Sequence, residues 1–151
     1  MNFELSKDIC IALKTGETFS LLKKGVKKIK KISEPYIMST FYVGNEFAKT
    51  EVLGVRKFLR ITGNSVTDDP ANSFICNLYG KTGDDCSTEA VLFDKKTLSD
   101  GICQGILFPV TVVMKNSETD SSPENGIFIE FECDIYLNGT GTEENYEITE
   151  V

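Results

Sequence analysis

The feature that most limits this chain is a strict two-residue alternation between Gly126 and Asn138. Ile127, Ile129, Phe131, Cys133, Ile135 and Leu137 are apolar, and Phe128, Glu130, Glu132, Asp134 and Tyr136 stand between them. A period of two is that of an extended strand, whose side chains alternate between the faces of a sheet. One face is continuous and apolar. The other carries three carboxylates at i, i+2 and i+4, which repel one another, so that face is expected to be hydrated. It reads either as an ordinary solvent face or as a functional acidic wall.

Other segments share the period. Asp8–Leu13, Tyr36–Val43, Leu53–Thr62, Ser87–Phe93 and Gly105–Asn116 are short, apolar or β-branched, and bounded by turn formers. Residues 15–25, with Gly16 and Gly25, fit neither period, and Lys27–Ser33 is a lysine-studded stretch. About six strands separated by turns predict a mainly β fold, an antiparallel β-sandwich or half-barrel.

Asp69–Gly80 is the exception. Asp69 is placed to cap a helix and Pro70 to occupy its first position. Ala71, Phe74, Ile75 and Leu78 form an apolar stripe, and Gly80 supplies the stop. One short flanking α-helix over about residues 70–79 follows. The expected organisation is a single β domain over 1–139, then a polar acidic tail over 140–151.

Composition removes several chemistries. The 151 residues include no histidine, which excludes Ser-His-Asp triads, Cys-His dyads and His-ligated metals. Cys10, Cys76, Cys86, Cys103 and Cys133 are odd in number and form no CxxC pair. Buried reduced thiols are expected, with one disulfide using Cys86 or Cys103 as the alternative. Gly80-Lys81-Thr82 lacks the first glycine of a phosphate-binding loop, because position 75 is Ile75. Asp84-Asp85 and Asp68-Asp69 miss the spacing of a calcium loop. No catalytic, cofactor or metal site is expected. No apolar run approaches the ~20 residues that cross a bilayer, and the first ten residues show no signal peptide. The expectation is a soluble intracellular protein with no membrane partner.

Net charge is −7 but unevenly spread. Residues 1–32 hold 8 basic and 3 acidic groups, and after Lys115 there are 10 acidic residues and no basic one. Lys23, Lys24, Lys27, Lys28, Lys30 and Lys31 form a basic band. It reads either as a protected edge strand or as an inter-subunit surface that meets acidic partners on other copies. No aromatic residues interleave these lysines, which weighs against a nucleic-acid patch.

One ordered set of features is more specific. Phe58-Leu59-Arg60-Ile61-Thr62-Gly63 ends a strand in glycine, followed by the turn Asp68-Asp69-Pro70-Ala71 and the helix to Leu78. After Gly83 come the strand Ala90–Phe93, a turn ending at Gly101, a strand to Met114, the polar loop 116–125, a second long strand and Asn138-Gly139. Residues 58–139 in this order resemble the tail tube protein of bacteriophages and phage-tail-like particles. The resemblance implies a virion structural protein and no enzyme. Six copies would form a ring, and rings would stack into a channel for genome ejection. It further implies sheath, tape-measure and baseplate proteins as partners, DNA that passes without specific binding, and a virion-tail location after assembly in the host cytoplasm. Glu130, Glu132 and Asp134 would be the lumen wall. Gly44, Asn45, Glu46, Phe47, Ala48, Lys49, Thr50, Glu51 and Val52 would be the loop that reaches a neighbouring ring. The alternatives are a terminator, neck or baseplate-hub component of the same fold, or a monomeric ligand-binding β-sandwich.

Overall fold

A computed structural model describes the backbone of residues 9–149 except 45, 67, 79 and 123–125, and side chains outside 116–129. Within those residues the strands are β1 (Ile9–Thr15), β2 (Thr18–Leu21), β3 (Val26–Thr40), β4 (Lys49–Asn64), β5 (Ser87–Asp94), β6 (Ile102–Ser122), β7 (Gly126–Leu137) and β8 (Thr142–Thr149). One helix, α1 (Pro70–Cys76), stands among them. Among the described residues the protein is mainly β with a single short α-helix.

The strands form one sheet in the order β3-β4-β7-β6-β5-β1-β2-β8, and β8 returns to pair with β6 as well. The sheet therefore closes on itself through β6, β5, β1, β2 and β8. Four strands, β3-β4-β7-β6, make an open wing that shares β6 with the closed part. All pairings are antiparallel except β2 with β8. In place of two facing sheets, the molecule has a small barrel continued by a wing.

Alternation along β1 and β5 explains the double core. Ile11, Leu13, Ala90 and Leu92 face one cluster, and Ala12, Val91 and Phe93 face the other. The second cluster, completed by Leu21, Cys103 and Ile148, fills the barrel. The first lies on the outer face of the sheet, where Leu59, Ile61, Val112, Phe131, Cys133 and Ile135 meet Ala71 and Ile75 of α1. These strands are buried on both sides because helix and wing cover one face while the barrel closes over the other.

Four segments differ from the sequence reading, one being 116–125, expected as a loop, whose first residues to Ser122 continue β6. The unreadable 15–25 stretch contains β2, which is only four residues long. Lys27–Ser33 and Tyr36–Val43 belong largely to one strand, β3. Residues 140–151, expected to be a tail, supply β8, whose Ile148 is buried in the barrel and pairs with Phe19. Within β8 Tyr146 and Ile148 alone turn inward, so the acidic outer positions set the composition.

The helix is capped as expected, but it is shorter and rotated. Asp69 Oδ1 accepts from the backbone N–H of Ala71 and Asn72 at 3.0 and 3.2 Å. Its Oδ2 accepts from Lys23 and Lys24 N–H at 3.2 and 2.9 Å. Four donors thus satisfy a buried carboxylate. Asn72 takes the central place expected for Phe74, which is half-buried. The Asn72 side chain donates to Lys24 O and Asn64 O, both at 3.0 Å, and accepts from Val66 N–H at 3.1 Å. Gly25, at φ +80°, leaves room for this junction, since a Cβ there would collide with Asn64 O. Two polar side chains therefore bind the start of α1 to the β2–β3 turn and the end of β4.

Candidate assembly surfaces

The wing has one apolar face under α1 and one polar face. Register places Arg60 opposite Asp134 and Lys30, and Thr62 opposite Glu132 and Lys28. Strand alternation thus separates Glu130, Glu132 and Asp134 from Phe131, Cys133 and Ile135 as the sequence suggests. The expected hydration does not extend to Asp134, whose side chain is only 1% exposed. Arg60 grips it with two bonds, Nε to Oδ1 at 2.9 Å and Nη2 to Oδ2 at 3.2 Å. The Asp134 hydrogen bond pushes the Arg60 guanidinium pKa up. Lys115 lies at a register shift of β6, and its Nζ reaches Asp134 Oδ2 at 3.7 Å. Arg60 also stands 3.6 Å from Glu132, and Lys27 donates to Glu130 at 3.3 Å. The three acids are each matched by a cation, a pattern the sequence hid because the partners are 19 to 103 residues away.

The six lysines do not share one surface. The backbone of Lys23 and Lys24 binds Asp69, and Lys24 Nζ donates to Asp68 at 2.6 Å. Lys28 and Lys30 lie on the polar face, whereas Lys31, paired in register with Leu59, lies on the other.

Beyond Phe58, the last residue of β4 paired with β7, the β3–β4 hairpin leaves the body as an arm. Nine residues of β4 at ~3.3 Å each give it roughly 30 Å. Its surface is apolar and exposed: Phe41 is 72% exposed, Val43 107% and Phe47 82%, with Tyr36, Ile37 and Val52 also outward. The expected loop Gly44–Val52 is the arm's tip and the start of its return strand, with Asn45 outside the described residues. A register shift between Tyr36 and Ile37 leaves Leu53 as an extra residue, a bulge that bends the arm.

The β6–β7 hairpin also projects, at the opposite end. β4 pairs with β7 from Phe58↔Tyr136 to Asn64↔Glu130. The arm extends past the first pair, and β7 continues past the second to Gly126.

Both edges of the wing are open among the described residues. β3 is the terminal strand of the sheet. β6 pairs with β5 only as far as Thr111, while β7 accompanies it to Ser122. Asn64 N–H donates to Gly25 O at 2.8 Å, so even-numbered positions of β4 bond toward β3. By alternation, Ile29 and Ser33 direct their N–H outward, and Pro35, in the same set, has none to offer. Edge pairing along β3 is therefore uninterrupted only up to Glu34.

At the arm's root, a groove of about 940 Å³ lies between Leu53–Lys57 and the Asn138–Gly141 loop. All five cysteines are free thiols, and burial pushes the Cys133 thiol up to about 12. Among the described residues no cluster of His, Cys, Asp or Glu has a metal-holding arrangement, and no helix is long and apolar enough to cross a membrane.

No protein-family model matches this chain, and no curated protein matches its sequence. Solved structures do match. A chain of the virion of a native gene transfer agent particle is 12% identical at a TM-score of 0.52, over 94% of this chain and 99% of its own. A chain of the tail of an empty gene transfer agent particle, refined helically with C6 symmetry, is 12% identical at 0.53 over the same shares. A chain of the sixfold-symmetrised anti-feeding prophage baseplate is 6% identical at 0.48, over 97% and 98%. The likeness to the two gene transfer agent chains is one of fold.

Proposed function

We propose that this chain is a structural subunit of the tube of a phage-tail-like particle, acting by self-assembly and without catalysis. The observation that carries this reading is the wing with two open edges. Its strands alternate in direction, so the β6 edge of one copy can accept β3 of the next antiparallel and continue the same ladder. Repetition around an axis closes a ring and uses up both edges, which would otherwise invite aggregation. Six copies per ring follow the C6 tail whose chain shares this fold. The helix and barrel cover the apolar face of the wing, leaving the polar face for the lumen.

On this reading Glu130 and Glu132 line the channel together with Arg60, Lys27, Lys28, Lys30 and Lys115, and Asp134 lies beneath that surface, held by Arg60 and Lys115. The wall is one of interleaved charges. Matched carboxylates keep the cations from holding phosphates, so DNA passes without specific binding. The arm, with Gly44–Val52 at its tip, reaches a neighbouring ring. Of the basic band, Lys28 and Lys30 then face the lumen, and Lys31 faces outward at the arm's root. Assembly in the host cytoplasm, and contact with sheath, tape-measure and baseplate proteins, belong to the same reading.

Negative-stain microscopy and sedimentation of the concentrated protein test it. Rings that stack into tubes are expected. A monomer at every concentration would overturn the reading, and single rings that never elongate would make the chain a terminator, neck or baseplate component. The lumen is tested separately by Glu130→Lys with Glu132→Lys. Wild-type tubes should retain no duplex DNA and variant tubes should retain it, whereas equal retention would move this face to the outside.

A further inference from the structure

We infer that β3 of one copy pairs with β6 of the next with Ser33 opposite Val112, which seats Lys31 in a second groove, beside the β6 edge, against Asp84 and Asp85. This rests on the tube reading and sets the register of its ring.

Hydrogen-bonding phase and facing agree on this pairing. Asn138 N–H donates to Pro109 O at 2.9 Å, so odd-numbered positions of β6 bond toward β7 and its loop. Val112 and Met114 therefore bond toward the open edge. On β3 the outward set is Ile29, Lys31 and Ser33. Lys31 lies opposite Leu59, so this set is on the face under α1, and Val112 and Met114 are on that same face. Residues opposed in an antiparallel ladder must match in both respects, and these do.

Two stops then choose the register. Pro35 ends the outward donors of β3. Ser87 opposite Thr111 and Thr88 opposite Val110 close the β6 edge on that side. Ser33 opposite Val112 brings the two stops together. A shift one way drives Ser33 onto Val110, which Thr88 already occupies, and a shift the other way leaves Val112 without a partner.

This register puts Lys31 opposite Met114. Met114, with Leu78 and Cys86, lines a groove of about 670 Å³ between the β6 edge and residues 80–86. Asp84 stands on its rim and Asp85 follows, both exposed, with Lys81 as the one cation of that segment. Among the described residues neither carboxylate is matched by a cation. Lys57, exposed and opposite Ser33, adds a second positive charge on the incoming side. Opposite charges fix register and speed encounter between such surfaces. The contact is heterologous, joining different edges of two copies, as a closing ring requires.

Cysteine cross-linking tests it. Lys31→Cys with Asp84→Cys in one chain, oxidised with copper–phenanthroline after assembly, should give a ladder of linked copies up to the hexamer on a non-reducing gel. One copy cannot join these two thiols itself. Its β3 and β6 are three strand spacings apart, roughly 14 Å, and a disulfide needs Cα atoms within ~7 Å. Lys28→Cys with Asp84→Cys puts the first thiol on the polar face and should give no ladder. A charge swap decides the matter if the cysteine chain assembles poorly. Asp84→Lys with Asp85→Lys should cut ring yield in sedimentation about tenfold, Lys31→Glu with Lys57→Glu should do the same, and the two sets combined should restore rings. Thermal melts of each variant check folding, and Lys31→Gln with Lys57→Gln replaces the glutamate pair if that pair fails to fold. Rings that form normally but give no ladder, full ring yield with either charge set alone, or loss with no restoration in the combined chain would overturn this seam while the tube reading stood. A wild-type protein that forms no rings would overturn the tube reading, and this seam with it.

Discussion

The barrel and the arm are made of the same kind of strand yet end in opposite states. In β1 and β5 both side-chain faces are buried, so Ile11 and Ala12, or Leu92 and Phe93, enter different cores from adjacent positions. In the arm, Tyr36, Ile37, Phe41 and Phe47 are no less apolar, but they stand in solvent. Hydrophobic content therefore does not decide burial here. Connectivity does: β1 and β5 have a strand on each side and a layer on each face, whereas the arm has one partner strand and no layer. The barrel is complete within one copy. The arm presents apolar surface that a single copy leaves uncovered, and contiguous exposed apolar surface of this kind marks an interaction site.

That contrast can be broken most directly in the barrel. Phe93→Ala should cost about 3–5 kcal/mol in urea denaturation, because a ring at 1% exposure leaves a cavity. A loss under ~1 kcal/mol would mean that the barrel interior is loose. Next comes the junction of α1 with the β2–β3 turn. Asp69→Ala removes a cap and orphans backbone donors at the turn and the helix, for an expected ~2–3 kcal/mol. If the loss stays within ~0.5 kcal/mol, the four-donor clamp is not holding the helix.

The arm should behave in the opposite way. Phe41→Ser with Phe47→Ser is expected to leave monomer stability within ~0.5 kcal/mol while abolishing tubes. A drop above ~1 kcal/mol would show that the arm folds back on its own body. The thiols sharpen the picture without large energies. Burial holds Cys133 protonated up to about 12, against ~8.5 for a free thiol. Its contribution to stability is whole below the unfolded value and is lost as pH climbs from there through 12. Iodoacetamide at pH 8.5 should spare Cys133 in the native protein and label it in urea; fast native labelling would open the core under α1. The smallest effect lies at the surface. The Lys24 hydrogen bond lowers the Asp68 pKa, so this pair helps at neutral pH and loses its effect as pH falls through the lowered value. Lys24→Ala should move the Asp68 titration, followed by NMR, back toward the ordinary carboxylate range.

Elements with strong local grammar were legible in the sequence. Asp69-Pro70 announced the helix, and the alternation of 126–138 announced β7 and its two faces. What escaped had its cause elsewhere in the chain. β3 hid because Val26, Ile29 and Ile32 are spaced by three: a bulge at Lys27 puts Val26 and Ile29 on one face, while Ile32, opposite Phe58, lies on the other. β8 hid because only Tyr146 and Ile148 turn inward. The acidic positions 130, 132 and 134 were found, but their neutralisation was not, since Arg60 and Lys115 reach them only through the register of β4 and β6. The groove joins β3–β4, β5, β6 and the loop after β7, and no local pattern reports such a meeting.

The parallel pairing of β2 with β8 also has a consequence in time. Phe19 waits for Ile148, 129 positions later, before the barrel has a wall on that side. During synthesis at about 5–20 residues per second, every other strand of the barrel is made before its closing member. Contacts this distant in sequence slow folding. Barrel closure should therefore be the late step of folding, and a nascent chain lacking β8 would show its apolar interior to whatever chaperone stands nearest.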